Sequence, residues 1–85
     1  MFSIFLGSKS EKFLKKTEKE VRIRIWKKLD ELKFNPFPQE VVRVVGKIGK
    51  AFRVRVGDYR IQYYVFQEKQ EIIIFDIDKR GRAYD

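Results

Sequence analysis

The apolar residues of the chain repeat with two different spacings, and these spacings divide it into a helical part and a strand part. Residues 1–6 alternate loosely between apolar and polar and predict a short first strand. Residues 18–33 carry apolar side chains three or four positions apart, which predicts a helix with one apolar stripe. That stripe consists of Val21, Ile25, Leu29 and Leu32. From residue 51 onward strict alternation takes over and predicts strands.

The helical part is predicted to form a hairpin of two helices, because it contains two patterns typical of a capping box. Ser8 precedes Glu11 by three positions, and Thr17 precedes Glu20 in the same way. In such a box the hydroxyl accepts from an unpaired backbone N–H while the glutamate reaches back to the first residue. The predicted helices span residues 9–16 and 18–33.

The stretch Asn35-Pro36-Phe37-Pro38 is predicted to end the second helix, since proline cannot continue a helix and restricts the residue before it. Residues 39–49 are harder to assign. Their VVRVV run suits a strand or a helical turn equally well, and two glycines indicate a loop before the next element. The pattern leaves both possibilities open.

Gly57-Asp58 is a two-residue turn signal with glycine first, which predicts a type II′ hairpin between AFRVRV and YRIQYYVF. The loop fixes the register, so that Arg55 lies opposite Arg60 and Arg53 lies opposite Gln62. Directly paired residues share a sheet face. The apolar residues therefore form a core face against the helices, and the cations form the opposite face.

The segment IIIFDID predicts a third strand after a break at QEKQ. If Phe66 pairs with Ile72, the core face gains Ile73, Phe75 and Ile77, and Asp76 and Asp78 fall opposite Gln62 and Arg60. A register one residue away would bury Asp76, so the first register is preferred. The fold class is therefore predicted as α+β in a single domain, residues 1–85. An N-terminal strand and a helix hairpin precede an antiparallel three-stranded meander, which forms one sheet packed on the helices.

The charge of the chain points to a polyanionic partner. Twenty lysines and arginines against twelve acidic residues give a net charge of +8, a field that attracts nucleic acid on so small a domain. The chain has no histidine and no cysteine, which excludes disulfides and thiolate chemistry and disfavours zinc. We expect no metal and no cofactor. Any acid–base catalysis would use Tyr, Lys, Asp or Glu.

No apolar run approaches the roughly 20 residues of a membrane-spanning helix. The opening MFSIFLG is too short for the apolar region of a signal peptide. We therefore expect a cytoplasmic protein without a membrane partner.

The concentration of arginines on one hairpin face is unusual for a fold selected only for stability. Arg55 opposite Arg60 is a like-charge pair, which destabilises a sheet. Because guanidinium groups match the geometry of phosphate, the face resembles a phosphate-binding surface, although any cation would serve on a merely exposed face. The third strand leads directly into KRGRAYD, so the last residues are expected to return to this face.

The segments FRVRVGDYRIQYYV and KRGRAYD together resemble the RelE family of toxins within the RelE/ParE superfamily of toxin–antitoxin modules. The resemblance implies a metal-free endoribonuclease that cuts messenger RNA in the ribosomal A site, by attack of the 2′-hydroxyl on the adjacent phosphate. It also implies a cognate RelB-like antitoxin that covers the basic face, with mRNA and the ribosome as the other partners.

The resemblance also implies roles for individual residues. Arg53 and Arg55 match the two cations of the first meander strand, Arg60 matches the arginine of a Tyr-Arg motif, and Arg80 and Tyr84 match a terminal pair. With no histidine present, Tyr84 is the hypothesised general base, and surrounding cations should favour its phenolate. The predicted catalytic residues are Arg60, Arg80 and Tyr84. The predicted substrate-binding residues are Arg53, Arg55, Arg82 and Lys79.

The two strand cations of this chain, Arg53 and Arg55, are arginines, whereas many family members have lysines at these positions. Arginine is a poor general acid, so the source of the acid's proton differs here. Three rival functions stand beside the ribonuclease. A ParE-like member would inhibit DNA gyrase without cutting RNA. A non-cleaving protein would bind RNA or the ribosome and block translation. A plain interaction module with an acidic partner is the third possibility.

Overall fold

The computed structural model describes residues 1–44 and 51–79, and within them two helices pack on one face of a five-stranded sheet. The strand order is β1-β5-β4-β3-β2, with β1 parallel to β5 and the other pairs antiparallel. No helix of this part is long and apolar enough to cross a membrane. In chain order the elements are β1 (Ser3–Leu6), α1 (Ser8–Lys16), α2 (Lys19–Phe34), β2 (Val42–Arg43), β3 (Ala51–Val56), β4 (Tyr59–Phe66) and β5 (Glu71–Lys79).

The α+β class and the meander β3–β5 are confirmed, but the sheet is wider than three strands. Strand β1 extends it on one side, pairing Ile4 with Ile72 and Leu6 with Ile74. On the other side, the segment left open in the sequence forms the short edge strand β2, which pairs Val42 with Arg53. Residues 45–50 lie outside the described residues.

Both helices begin and end within one residue of the predicted bounds, but the capping boxes are wrong. The N-cap residues are Gly7 and Glu18, and neither helix has a side-chain cap hydrogen bond. Ser8 already lies inside α1, while Thr17 ends that helix and donates its N–H to the Phe13 carbonyl. Since Gly7 donates to the Ile74 carbonyl, contact with the sheet rather than a cap fixes where α1 starts.

The apolar stripe of α2 forms the centre of the core, as its spacing predicts. Ile25, Leu29 and Leu32 are fully buried, and each contributes roughly 1.5–3 kcal/mol through removal from water. The sheet supplies the other side of the core with Val54, Ile61, Tyr63, Val65, Ile72, Ile74 and Ile77.

The register of the first hairpin is confirmed at every predicted pair from Val56–Tyr59 to Phe52–Tyr63. Gly57 has φ +60°, whereas Asp58 has no positive φ, which is the pattern of a type II′ turn. Only the first turn position needs the conformation that favours glycine.

The predicted register of β5 is wrong in its first half and right in its second half. Phe66 pairs with Glu71 rather than Ile72, and a β-bulge then inserts Phe75 before Asp76 pairs with Gln62. Ile72 and Ile74 are therefore buried, whereas Ile73 and Phe75 lie on the opposite face. The bulge lets the strand bury Ile72 and Ile74 before it and Ile77 after it, while Asp76 stays off the core face.

Tyr63 joins the sheet to the end of α2 through a buried hydrogen bond from its hydroxyl to the Pro36 carbonyl, 2.7 Å long. Tyr63→Phe leaves that carbonyl unpaired and is expected to lower the free energy of unfolding by about 1–3 kcal/mol. Urea denaturation of the two proteins at neutral pH measures this difference, and equal midpoints with equal slopes would contradict it.

Burial, with a smaller contribution from Glu40, raises the pKa of Tyr63 well above its usual value of 10.0. The folded state therefore favours the protonated phenol. This contribution to stability is complete below pH 10 and falls as the pH rises above it, because the unfolded chain ionises first. Phenylalanine cannot ionise, so the stability of Tyr63→Phe should fall less than that of the wild type as the pH rises above 10.

Candidate functional site

The predicted arginine face exists on the side of the sheet turned away from the helices. The β3–β4 register places Arg53, Arg55 and Arg60 on one face together with Gln62. This surface, with Asp76 and Asp78 of β5 opposite Gln62 and Arg60, is called the arginine face below. Three of the six side chains are guanidinium groups, which match the geometry of phosphate, so the face can bind an anionic strand.

Arg60 is held rigidly on this face by a two-pronged ion pair with Asp78. Its Nε lies 3.2 Å from Oδ1, and its Nη2 lies 3.3 Å from Oδ2. The two residues are directly paired across the strands, and the Arg60 side chain is only 12% exposed. Asp78 therefore offsets the repulsion between Arg55 and Arg60 while leaving further guanidinium N–H groups of Arg60 for a ligand.

The two aspartates opposite Gln62 and Arg60 differ in what they contact. Asp76 accepts a hydrogen bond from Gln62 at 3.3 Å through Oδ2. Its other oxygen, Oδ1, is buried and accepts no hydrogen bond from the described residues, and the Lys9 ammonium lies 3.5 Å away. Asp78 orients Arg60, whereas Asp76 ties α1 to the sheet.

The same side of the sheet continues into an aromatic patch that the sequence patterns did not reveal. The Tyr64 and Phe75 rings lie 4.5 Å apart, and Tyr64 also contacts Phe66 at 6.3 Å. Phe66 is 42% exposed, and Phe5 of β1 is 48% exposed. The bulge turns Phe75 outward, and no alternation rule predicts that. The alternation of Tyr64 and Phe66 around buried Val65 was the available signal.

Lys79 lies apart from Arg53 and Arg55, with which it was predicted to bind the substrate. It pairs with Tyr59 at the end of β5, so strand alternation places it on the helix side of the sheet rather than beside Arg60. Arg80, Arg82 and Tyr84, the remaining predicted site residues, lie outside the described residues. The structure thus brings together Arg53, Arg55 and Arg60 and sets Lys79 apart.

Lys79 instead belongs to a second basic site between α1 and the end of β5. A groove of about 480 Å³ is lined there by Lys9, Lys12 and Lys16 of α1 together with Lys79. The three helix lysines stand three and four residues apart, the spacing of one helix face, and this was a signal available in the sequence.

Comparisons with known proteins agree with this fold. Residues 7–84 match the family model described as ParE toxin of type II toxin-antitoxin system, parDE. Over 59 residues the chain is 39% identical to a RelE1 toxin candidate of Methanocaldococcus jannaschii, a match covering 66% of this chain. It covers 64% of that relative, slightly less than two thirds of its length.

Two solved structures extend the likeness to nearly the whole chain. The RelE–RelB complex from Pyrococcus horikoshii contains a chain that is 29% identical, with a TM-score of 0.83, covering 96% of this chain and 98% of that one. The isolated RelE toxin of E. coli has a TM-score of 0.81 over 99% of this chain and 92% of its own. At 22% identity, it shows the fold alone.

The family model covers the helices, the meander and the residues beyond β5, and the likeness to RelE proteins extends over the same elements. The chain therefore belongs to the RelE/ParE superfamily, the toxins of type II toxin–antitoxin modules.

Proposed function

We propose that this protein is a ribosome-dependent endoribonuclease that cleaves messenger RNA in the A site without a metal ion or cofactor. The observation that carries the proposal is the arginine face, where Arg53, Arg55 and Arg60 share one side of the meander and Asp78 orients Arg60. Likeness to RelE proteins in sequence and fold supports the same activity. Since the ribosome is its site of action, we place the protein in the cytoplasm.

The proposed reaction transfers the phosphate from the 5′-oxygen of one nucleotide to the 2′-oxygen of the preceding one. Tyr84 takes the proton of the 2′-hydroxyl, the 2′-oxygen attacks phosphorus, and the bond to the 5′-oxygen breaks, leaving a 2′,3′-cyclic phosphate. Arg60 and Arg80 stabilise the charge that develops on the phosphate oxygens.

The other cations have a binding role in this proposal. Arg53 and Arg55 hold neighbouring phosphates, and Arg82 and Lys79 bind the strand beyond them. Arginine does not release its proton near neutral pH, so guanidinium groups neutralise the departing 5′-oxygen, and that oxygen takes its proton from water. Binding on the ribosome supplies the alignment of the reacting atoms.

We also propose that a RelB-like antitoxin binds this protein and covers the arginine face. The related chain from P. horikoshii is described in a RelE–RelB complex, which supports a partner of this kind. A net charge of +8 favours an acidic partner segment, and the aromatic patch beside the arginines adds exposed apolar surface that such a partner can bury.

One observation favours a second candidate function. The family model that matches the chain is described as a ParE toxin, and ParE-like members were the rival that inhibits DNA gyrase. The arginine face argues for RNA, since three guanidinium groups on one side of the sheet suit a phosphate strand.

Purified protein added to ribosomes carrying a defined message tests the proposal, with cleavage mapped by primer extension. Cuts at codon-phased positions, absent when ribosomes are omitted, are the expected result. Arrested translation of an intact message would overturn cleavage in favour of a non-cleaving blocker. Normal translation together with inhibited supercoiling by gyrase would replace the proposal with the ParE-like function.

A further inference from the structure

The groove lined by Lys9, Lys12, Lys16 and Lys79 is called the lysine groove below. It has the two features of a site for an unpaired nucleotide, an aromatic floor and a rim of cations. Phe13 and Tyr59 form its floor, with ring centroids 5.8 Å apart in an edge-to-face arrangement, and Ile77 completes the apolar surface. Lys9, Lys12, Lys16 and Lys79 surround this floor. Its volume of about 480 Å³ is within the ordinary range of ligand sites.

The charge of the groove is not balanced within the described part of the protein. Lys9 lies 3.5 Å from Asp76, but no carboxylate there lies within 4.0 Å of Lys12, Lys16 or Lys79. The helix dipole disfavours a cation at Lys9, in the first turn of α1, and favours one at Lys16, in the last turn. Helix stability therefore explains only part of this cluster, whereas an anionic ligand would explain all of it.

The groove and the arginine face adjoin the same strand, β5. Lys79 directly follows Asp78, the partner of Arg60, and points to the other side of the strand. Lys9 reaches across the same edge from α1 to Asp76. A single strand that leaves the arginine face at Asp76 and Asp78 is therefore close to Lys9 and Lys79.

We propose that the lysine groove binds single-stranded RNA, as the continuation of the strand that crosses the arginine face. One base packs on Phe13 and Tyr59, and the flanking phosphates bind Lys12, Lys16 and Lys79. This inference rests on the proposed function for the identity of the strand, and it adds a second binding region outside the reacting nucleotides.

The test measures binding of fluorescent 2′-O-methyl oligoribonucleotides, which cannot be cleaved by 2′-hydroxyl attack, to the full-length protein by anisotropy. Lengths of about 4 and about 12 nucleotides separate one short site from both regions together. The groove variant is Lys12→Gln/Lys16→Gln. The matched control, Lys19→Gln/Lys27→Gln, removes the same charge from exposed α2 lysines outside the groove.

For the long oligonucleotide we expect the groove variant to raise Kd about tenfold and to reduce the salt slope by about 1.4, since each phosphate contact on a single strand contributes about 0.7. Binding of the short oligonucleotide should stay unchanged, and the control should change Kd for the long one by less than about twofold. Tyr59→Leu should weaken binding of the long oligonucleotide, whereas Tyr59→Phe should not, because only the first removes the aromatic ring.

Three results would overturn the inference. The first is long-oligonucleotide binding by the groove variant at wild-type strength, and the second is an equal loss in the α2 control. The third is a groove variant that binds ribosomes less well but binds both oligonucleotides normally, which would assign the lysines to ribosomal RNA. Ribosomal cleavage by the wild-type protein is scored separately. Absence of cleavage with a groove effect on oligonucleotides rejects the proposed function but keeps the groove, and the reverse result rejects only the groove.

Discussion

Tyr84→Phe is expected to slow cleavage of messenger RNA on the ribosome by about 10²–10⁴-fold, the usual contribution of a positioned general base. The substitution removes only the phenolic oxygen. The chain has no histidine or cysteine to take over the proton, and both strand cations are arginines. Single-turnover rates on programmed ribosomes isolate the chemical step from binding.

Two further readouts make this prediction specific. The wild-type rate should rise with pH as the phenol loses its proton, and Tyr84→Phe should lose that dependence. Tyr64→Phe is the matched control, since it removes a phenolic oxygen from the aromatic patch rather than from the proposed base. If Tyr84→Phe cleaves at the wild-type rate, Tyr84 is not the general base, although the proposed ribonuclease activity still stands.

The hairpin register was predictable because two independent signals agreed there. Gly57-Asp58 fixed the turn, and strict alternation from Phe52 to Tyr63 allowed only one choice of face. The arginine face followed from the same signals. Where local pattern and turn chemistry agree, the sequence alone places side chains on the correct side of a sheet.

The β5 register was only half predictable because its own pattern is ambiguous. Three consecutive isoleucines, residues 72–74, suit either face, so alternation could not choose among registers. The actual turn is shorter by one residue and uses Gln70 with φ 56°, and the bulge at Phe75 then restores the pairing at Asp76. Phe75 joins the aromatic patch because of that bulge, so its place there was invisible for the same reason.

The lysine groove was missed because its parts are far apart in sequence. The lysine face of α1 was readable, but nothing local indicates that it meets Tyr59 and Lys79. That meeting depends on how α1 docks. Ser10 is fully buried and donates to the Ile74 carbonyl at 2.9 Å, and Gly7 donates to the same oxygen. The bulge and the docking of α1 thus meet at one carbonyl group.

Arg60→Gln is expected to lower the cleavage rate by about 10²–10³-fold, as loss of one group that stabilises transition-state charge does elsewhere. The structure gives this substitution a second effect, since it removes the Arg60 guanidinium from the Asp78 carboxylate. The carboxylate is 28% exposed, so water offsets part of that loss, but a negative charge that Arg60 no longer neutralises would also repel the RNA phosphates.

The double variant Arg60→Gln/Asp78→Asn separates these effects, because it removes both charges and leaves a neutral pair that can hydrogen-bond. If Arg60 acts on the reacting phosphate, the double variant regains thermal stability but stays as slow as Arg60→Gln. Asp78→Asn alone keeps the guanidinium and loosens it, so it should reduce cleavage less than Arg60→Gln does. Recovery of cleavage in the double variant would show instead that the Asp78 carboxylate, no longer neutralised by Arg60, caused the loss. Arg60 would then serve the fold of the face rather than the chemistry on it.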